Sequence, residues 1–524
     1  MPSAEFVGSN LNQKEAMTMK TQSCILLVAI LLTVPAQAGA DEDAGWISLF
    51  NGKDLGGWKL KKEDGPNGWT VDDGVYVNTP RSTDILTERQ FTDFHLHVEF
   101  MIPKGSNSGV YLRGRHEIQI FDSFGKKTLR PVDCGSIYGR AVPAANASKP
   151  PGKWQTFDAT LVGRRLIVYH NGVCIHNQLD LAAAAKPGPI LLQGDHGKIS
   201  YRNLKIKPLS RDYVAKAKVY VLSSRADDTT VISVPEHKVI GSIKVGGYPH
   251  GIEANAAQTR LFVSAEAEDL VNVIDTATDK VLKRIPVGPE PNEVAVTPDG
   301  RLLYVPSGST GIYEVVDVEK GKIVAKIKTG GHPHNVVSSP DGKYMYLSPL
   351  REPEKIFIVE TATHKVVREM PLGGQARPIA INRGGTRLFV EYDPFIGFVQ
   401  AKIPEGEILH RVPIDLPAEQ RDVPSRCHGI GVTPDGKEVW VCDVNHELVA
   451  VFDVTSDPPK QITLIPTKGH PYWMTISPDG KYAYVSNTDT DVVQVVDVAS
   501  HKTVKWIDVG KSPKRILAVT VPQF

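Results

Sequence analysis

"SPDGKYAYVSNTDTDVVQVVDVASHKTVKWIDVGKSP", residues 477–513, decides the fold of the larger part of this chain. It opens on a Pro-Asp-Gly turn and continues as short β-branched and aromatic runs separated by further turns. Pro presets φ, Asp bonds its own backbone and Gly takes the left-handed position, so the opening reads as a hairpin turn. The same turn recurs as "TPDG" at 297 and 433 and as "SPDG" at 339. An aromatic-aliphatic pair follows at Tyr220-Val221, Phe262-Val263, Tyr304-Val305, Tyr346-Leu347, Phe389-Val390, Trp440-Val441 and Tyr484-Val485. The spacings are 42, 42, 42, 43, 51 and 44 residues. A period near 42 with four short strands per unit predicts a β-propeller, and seven units predict seven blades over residues 218–524.

The first unit opens at "KVYVLSS" and lacks the strand that precedes the pair elsewhere, while the last ends on an extra run, "KRILAVTV" (514–521). The C-terminal strand is therefore expected to complete the first blade, so that no sheet edge is left open. These units resemble the bacterial YVTN-repeat propellers over about 300 residues, a resemblance that implies a fold and no particular function.

One position of the repeat recurs once per blade and is expected to ring a mouth of the central channel. It is occupied by His250, Asn292, His334, Arg377, His428, Tyr472 and Lys514. Three readings stay open: a histidine metal site, a mouth for an anionic or sugar-like ligand, and a solvated channel in a scaffold that binds a protein partner. Arg377 and Lys514 weigh against a metal, because cations repel it. The insertion 415–427, which lengthens the fifth spacing, is expected to be a loop over one face of the ring.

The chain has 524 residues, too many for one ordinary core. It is 41% apolar and 23% charged, with a net charge of only +1. That balance gives no basis for a nucleic-acid partner. Near the N-terminus, Lys20 precedes the apolar run "ILLVAILLTV" (25–34), and small residues follow through 40. Residues 1–40 read as a signal-peptide region starting at Met17 or Met19. The run is about half of what spans a bilayer, so the mature chain is expected to be periplasmic or secreted, without a transmembrane helix. Export permits disulfides. Cys427 and Cys442 flank the turn at 433–436 and are candidates for a cross-strand bridge; Cys134 and Cys174 form the other candidate pair, and free packed thiols are the alternative.

Residues 44–209 show no such period, and 210–217 reads as a linker. Strand-like runs lie at 94–102, 109–121, 154–163, 165–173, 188–194 and 199–207, and the only helix-like stretch is "LDLAAAAK" (179–186). Short strands with regular turns predict a β-sandwich or jelly roll. The chain is thus all-β, a jelly-roll sandwich followed by a seven-bladed propeller. "WISLFNGKDLGGW" (46–58), "WTVDDGV" (69–75), "NSGVYLRGRHEIQIFDS" (107–123), "GSIYG" (135–139) and "QGDHGKISYRNLKIKPL" (193–209) resemble the 3-keto-disaccharide hydrolase family. The resemblance covers nearly the whole domain. It implies a concanavalin-like jelly roll that cleaves glycosides already oxidised at C3 of the sugar.

Such chemistry needs a base for the C2 proton and an electrophile for the enolate oxygen. Read as one regular strand, 109–121 puts Tyr111, Arg113, Glu117 and Gln119 on one face. Glu117 is the candidate base, Arg113 the candidate enolate stabiliser, and Tyr111 and Gln119 candidate sugar binders. A bulge at Gly114 would shift the register of everything before it. His196 is a candidate second base. Asp122, Tyr138, Lys149 and Asp195 are further candidate binding residues. Glu117 and His196 are also candidate ligands of a divalent metal of unknown identity. Trp58, Trp69 and Trp154 are expected in the core. Two readings stand: an exported sugar-cleaving enzyme acting on a saccharide, or a non-catalytic carbohydrate-binding jelly roll joined to a ligand- or protein-binding propeller.

Overall fold

The computed structural model describes residues 45–126, 128–181, 186–209, 216–256 and 258–521, apart from the side chain of Gln178. The expected leader at 1–40 and residues 210–215 of the linker lie outside the described residues. The fold is all-β. Its only helices among the described residues are three single 3-10 turns, and none is long and apolar enough to cross a membrane.

Residues 45–209 form a two-sheet sandwich. The larger sheet centres on Phe94–Met101, Gln155–Val162 and Ser200–Pro208. The smaller sheet contains β1 (Trp58–Leu60), β2 (Ile85–Thr87), β3 (Asn107–Leu112), β4 (His116–Phe121) and β5 (Leu191–Leu192), in the order β1-β2-β5-β3-β4. Ile85, Val110, Ile118 and Leu192 point inward and are fully buried against Phe94, Val98, Phe100 and Tyr201 of the facing sheet. Burying each such side chain contributes about 1.5–3 kcal/mol. Trp58 and Trp69 lie in this core, their indole N–H groups satisfied by the carbonyls of Leu49 and Thr83. Trp154 instead is partly exposed, with the Arg202 guanidinium 4.0 Å from its ring. The helix-like stretch at 179–186 starts as strand, since Leu179 and Asp180 end Val173–Asp180; residues 182–185 lie outside the described residues.

The run 109–121 is a hairpin rather than one strand. Leu112 pairs with His116, and Arg113, Gly114 and Arg115 form the loop. Arg113 and Gly114 both take positive φ (52° and 61°), which glycine adopts without strain. Gly114 is therefore the pivot of a turn and not a bulge.

Seven four-stranded antiparallel sheets make up residues 217–520. In the first, Ala217–Ser223 pairs with the C-terminal strand Pro513–Thr520. Every Ser/Thr-Pro-Asp-Gly turn is held the same way: the hydroxyl donates to the Asp carboxylate, at 2.6 Å for Thr297–Asp299, 2.7 Å for Ser339–Asp341, 2.8 Å for Thr433–Asp435 and 2.6 Å for Ser477–Asp479. These turns join the inner strand of a blade to the strand carrying the aromatic-aliphatic pair. Inner strands of neighbouring blades contact one another around the ring. The 415–427 insertion is tied down on the blade: its Ser425 bonds the buried Asp443 carboxylate, which also bonds His446, and the second His446 nitrogen lies 2.9 Å from the Gln420 carbonyl of the insertion.

The four described cysteines are free and buried. Cys427 pairs across the strand with Asp443, and Cys442 with Val449, so the two sulfurs are not opposite each other. Burial pushes the Cys134 and Cys174 thiols up to about 11 and about 12. The larger sheet of the sandwich lies toward the propeller: Thr520 bonds Asn177 at 3.2 Å, and the Arg383 charge acts on Cys174 and His176. The smaller sheet is thereby left to carry a site of its own.

Candidate active site

Strand register builds two straight rows across the outer face of the smaller sheet. Lys59 opposes Leu86, Leu86 opposes Leu191, Leu191 opposes Tyr111, and Tyr111 opposes Glu117. One step along, the row runs Lys61, Asp84, Gln193, Gly109 and Gln119. Partners in an antiparallel pair point to the same face. The three-residue loop preserves this parity, so Tyr111, Glu117 and Gln119 share a face even though 109–121 turns back on itself.

The floor of this face is polar and deep. Asp84, Glu117, Gln119 and Gln193 are each 9% exposed or less. Glu117 lies directly over Gly109, where an added Cβ would come within 2.3 Å of Oε1. The Tyr111 hydroxyl donates to the Glu117 carboxylate. The Gln119 amide, with its nitrogen turned to Glu117, donates to Oε1 at 2.9 Å and to the Ser108 carbonyl at 3.1 Å. Burial raises the Glu117 pKa above its ordinary value; the Tyr111 hydrogen bond and the nearby His196 pull it back, while Asp195 and Asp84 push it up. A carboxylate held by two donors and raised by burial is suited to accept a proton. Asp84 accepts from Lys61 Nζ at 2.8 Å and from the Gly194 N–H at 3.0 Å.

The rim is exposed. His196 and Asp195 are 49% and 57% exposed, with Nδ1 and Oδ1 2.5 Å apart. Their charges reach Glu117, but they share no direct bond with it. Tyr138 flanks β4 through its backbone N–H, which donates to the Glu117 carbonyl at 3.1 Å, and its ring is half exposed.

Three candidates lie elsewhere. Arg113 leaves the face, because its place in the loop turns it toward the larger sheet. It is 3% exposed and bonds Asp93 Oδ1 at 3.0 Å, the Gly163 carbonyl at 2.7 Å and the Thr92 carbonyl at 2.5 Å. It is a structural clamp, and no enolate stabiliser. Asp122 accepts from the Gly105 N–H at 2.9 Å and closes a turn. Lys149 is tied to Gln155 and to the Trp154 carbonyl, at the start of a strand of the opposite sheet. Lys61, Asp84, Gln193 and Gly109 were missed. The alternation in Lys59-Leu60-Lys61 was a readable signal for Lys61, whereas Asp84 joins the row only through pairing with strands far away in sequence.

Among the described residues, the one cluster of three potential metal ligands with donor atoms within 4.8 Å of one another is Glu447, His470 and Asp489, on the propeller. Glu117 and His196 do not belong to such a cluster.

In the propeller, the once-per-blade residues occupy or immediately precede the inner strands. Asn292 Nδ2 lies 2.7 Å from His250 Nδ1, which also faces Glu266 at 2.5 Å. The His250 and His334 rings are 5.8 Å apart, and His428 and Tyr472 4.0 Å. Arg377 is paired with Asp393 and Lys514 bonds the Tyr248 hydroxyl at 2.6 Å. Burial, with Arg515 as the next cause, holds His250, His334 and His428 well below the ordinary histidine range, so all three are neutral at pH 7.

A sandwich with a polar-floored face, joined to a ring of seven blades, defines a two-module protein. Residues 45–207 match the 3-keto-alpha-glucoside-1,2-lyase-like domain. Residues 216–505, more than half of the chain, match the family described as lactonase, 7-bladed beta-propeller, and the chain belongs to that family. The chain is 23% identical over 180 residues to a 3-keto-disaccharide hydrolase of Bacteroides thetaiotaomicron, a stretch that is 28% of this chain and 59% of that protein. The match thus spans less than two thirds of that relative. Two solved propellers are similar in fold. The periplasmic gluconolactonase of Pseudomonas aeruginosa is 19% identical with a TM-score of 0.50, covering 59% of this chain and 100% of that one. A protein from Lactobacillus plantarum is 18% identical with a TM-score of 0.51, covering 58% and 100%.

Proposed function

We propose that the sandwich is a carbohydrate-active catalytic domain that cleaves 3-keto-glycosides, with Glu117 as general base and the propeller as a binding or scaffold module. The observation that carries this reading is Glu117 itself: a buried carboxylate, raised in pKa, held by Tyr111 and Gln119 over a glycine on the polar face of the matching domain. A ketone at C3 acidifies the C2 proton. Glu117 takes that proton, the electron pair forms the enolate, and the enolate expels the C1 substituent, which leaves as an alcohol once protonated. Water then adds to the resulting enone, so the net reaction is hydrolysis.

With Arg113 removed from the face, Lys61 and His196 are its candidate cations for the enolate oxygen. Lys61 is held to Asp84, and His196 to Asp195. Gln193 and Tyr138 are the further groups assigned to sugar hydroxyls in this reading. The apolar run at 25–34 supports an exported location.

The test is turnover of 3-keto-trehalose or a 3-keto-glucoside by the full chain and by its Glu117→Gln variant. Turnover that falls by about 10²–10⁴-fold in the variant supports the assignment. Binding of the sugar without turnover by the natural chain would instead make the sandwich a carbohydrate-binding module.

A further inference from the structure

The propeller channel holds a buried guanidinium whose donors are mostly unused. Arg515 follows Lys514 on the C-terminal strand and is 1% exposed. Its Nη2 donates to Asn335 Oδ1 at 3.1 Å and lies 3.6 Å from Glu293 Oε2, and its plane covers the Trp473 ring at 4.2 Å. Nε and Nη1 have no partner among the described residues, so three of the five N–H bonds of the group are free. Burying such a group without acceptors is costly. Three neighbouring atoms are in the same condition: His250 Nε2, Asn292 Oδ1 and Asn335 Nδ2. All four side chains are at least nine-tenths buried. They are contiguous, through the Arg515–Asn335 bond, the Asn292–His250 bond and the packing of His250 on His334.

The chemistry of these atoms selects the ligand. The unused donors are the Arg515 N–H bonds and the Asn335 amide, and the unused acceptors are the Asn292 carbonyl and His250 Nε2. Arg515, Lys514 and Arg377 repel a metal cation. The nearby carboxylates are engaged within the protein: Glu266 with His250, Asp393 with Arg377, and Glu293 with Arg515 and the Val336 N–H, while Glu253, beside Glu293, accepts from the Ala254 N–H and is pushed up to about 7 by burial. We propose that the mouth of the propeller channel binds a small carboxylate anion, seated on Arg515 with Asn335 as a further donor and with His250 Nε2 and Asn292 Oδ1 as acceptors for a hydroxyl of the ligand. Lys514 stands at the entrance, partly exposed, and steers the anion inward. This site is separate from the sandwich and does not depend on its chemistry.

The experiment uses the full chain, with lactate as the probe and its neutral amide, lactamide, as the control, at ionic strength held constant with sodium chloride. Lactate at about 100-fold excess over its Kd is expected to raise Tm by a few degrees, with saturable heat in calorimetry, and lactamide to do neither. Inorganic phosphate is run in the same series, and a larger shift with phosphate than with lactate overturns the carboxylate assignment. Arg515→Met should abolish the lactate effect. Should that variant not fold, Asn335→Asp serves in its place, since it puts a carboxylate against Arg515 within the protein. It should fold and lose the lactate response. No response of the natural chain at 0.1 M lactate, an equal response to lactamide, or a full response in Asn335→Asp overturns the proposal.

Discussion

Gly109→Ala is the sharpest perturbation of the sandwich site. Gly109 and Gln119 are cross-strand partners, and the Glu117 side chain folds back over the glycine. A Cβ at 109 would lie 2.3 Å from Oε1, 2.8 Å from Cγ and 2.9 Å from Cδ of Glu117, where ordinary contact begins at 3.4 Å. The backbone cannot yield, because Gly109 sits in the middle of β3 with its carbonyl accepting from the Gln193 N–H. The carboxylate must therefore move by about 1 Å, out of line with the Tyr111 and Gln119 donors. A misplacement of about 1 Å costs about 10²-fold in rate, or about 2.7 kcal/mol in the barrier. The assay is steady-state cleavage of a 3-keto-glucoside by the full chain, with thermal unfolding recorded in parallel. The expected result is kcat lowered about 100-fold with KM little changed and the variant still folded. A folded variant that retains kcat within about 3-fold would refute the placement of Glu117 as the base.

Other outcomes follow from the same geometry. Glu117 acts only when ionised and its pKa is raised, so kcat/KM should fall as pH drops through a value above the ordinary carboxylate range; Tyr111→Phe removes a hydrogen bond to the ionised form and should move that acid limb further up, as a pH–rate profile would reveal. Arg113→Met removes the buried guanidinium from Asp93 and from the Thr92 and Gly163 carbonyls and should cost about 3–5 kcal/mol of stability by denaturant unfolding, while kcat at a temperature where the variant is folded stays at the natural level. Ending the chain after Ser512 removes the strand that completes the first blade and exposes the edge of Ala217–Ser223; aggregation or loss of the cooperative transition is expected by size exclusion and calorimetry, and an unchanged elution volume and transition would contradict the closure.

The propeller was legible because its information is local and repeated. A turn such as Ser477-Pro478-Asp479-Gly480 carries its own stabilising bond, and the aromatic-aliphatic pair that begins four residues after its glycine marks a strand, so four copies of the turn and seven of the pair report the architecture without any long-range knowledge. Even the closure could be read, as a strand missing at Ala217 and a spare one at Pro513. The polar face of the sandwich was legible in part, because alternation survives a three-residue loop: Tyr111, Glu117 and Gln119 kept a common face through a turn that the sequence reading took for continuous strand.

What the linear order left undecided depends on partners far apart in the chain. The sequence by itself determined that Glu117 stands on a strand face and that Arg515 follows a ring position. Only the tertiary structure decided that Arg113 is spent on Asp93 and two carbonyls, and that Asp84 and Gln193 enter the row beside Glu117 through pairing with β5. It also decided that Arg515 meets Asn335, 180 residues before it. Side-chain direction follows from local periodicity, whereas burial and the choice of hydrogen-bond partner are set by which distant strands pack together.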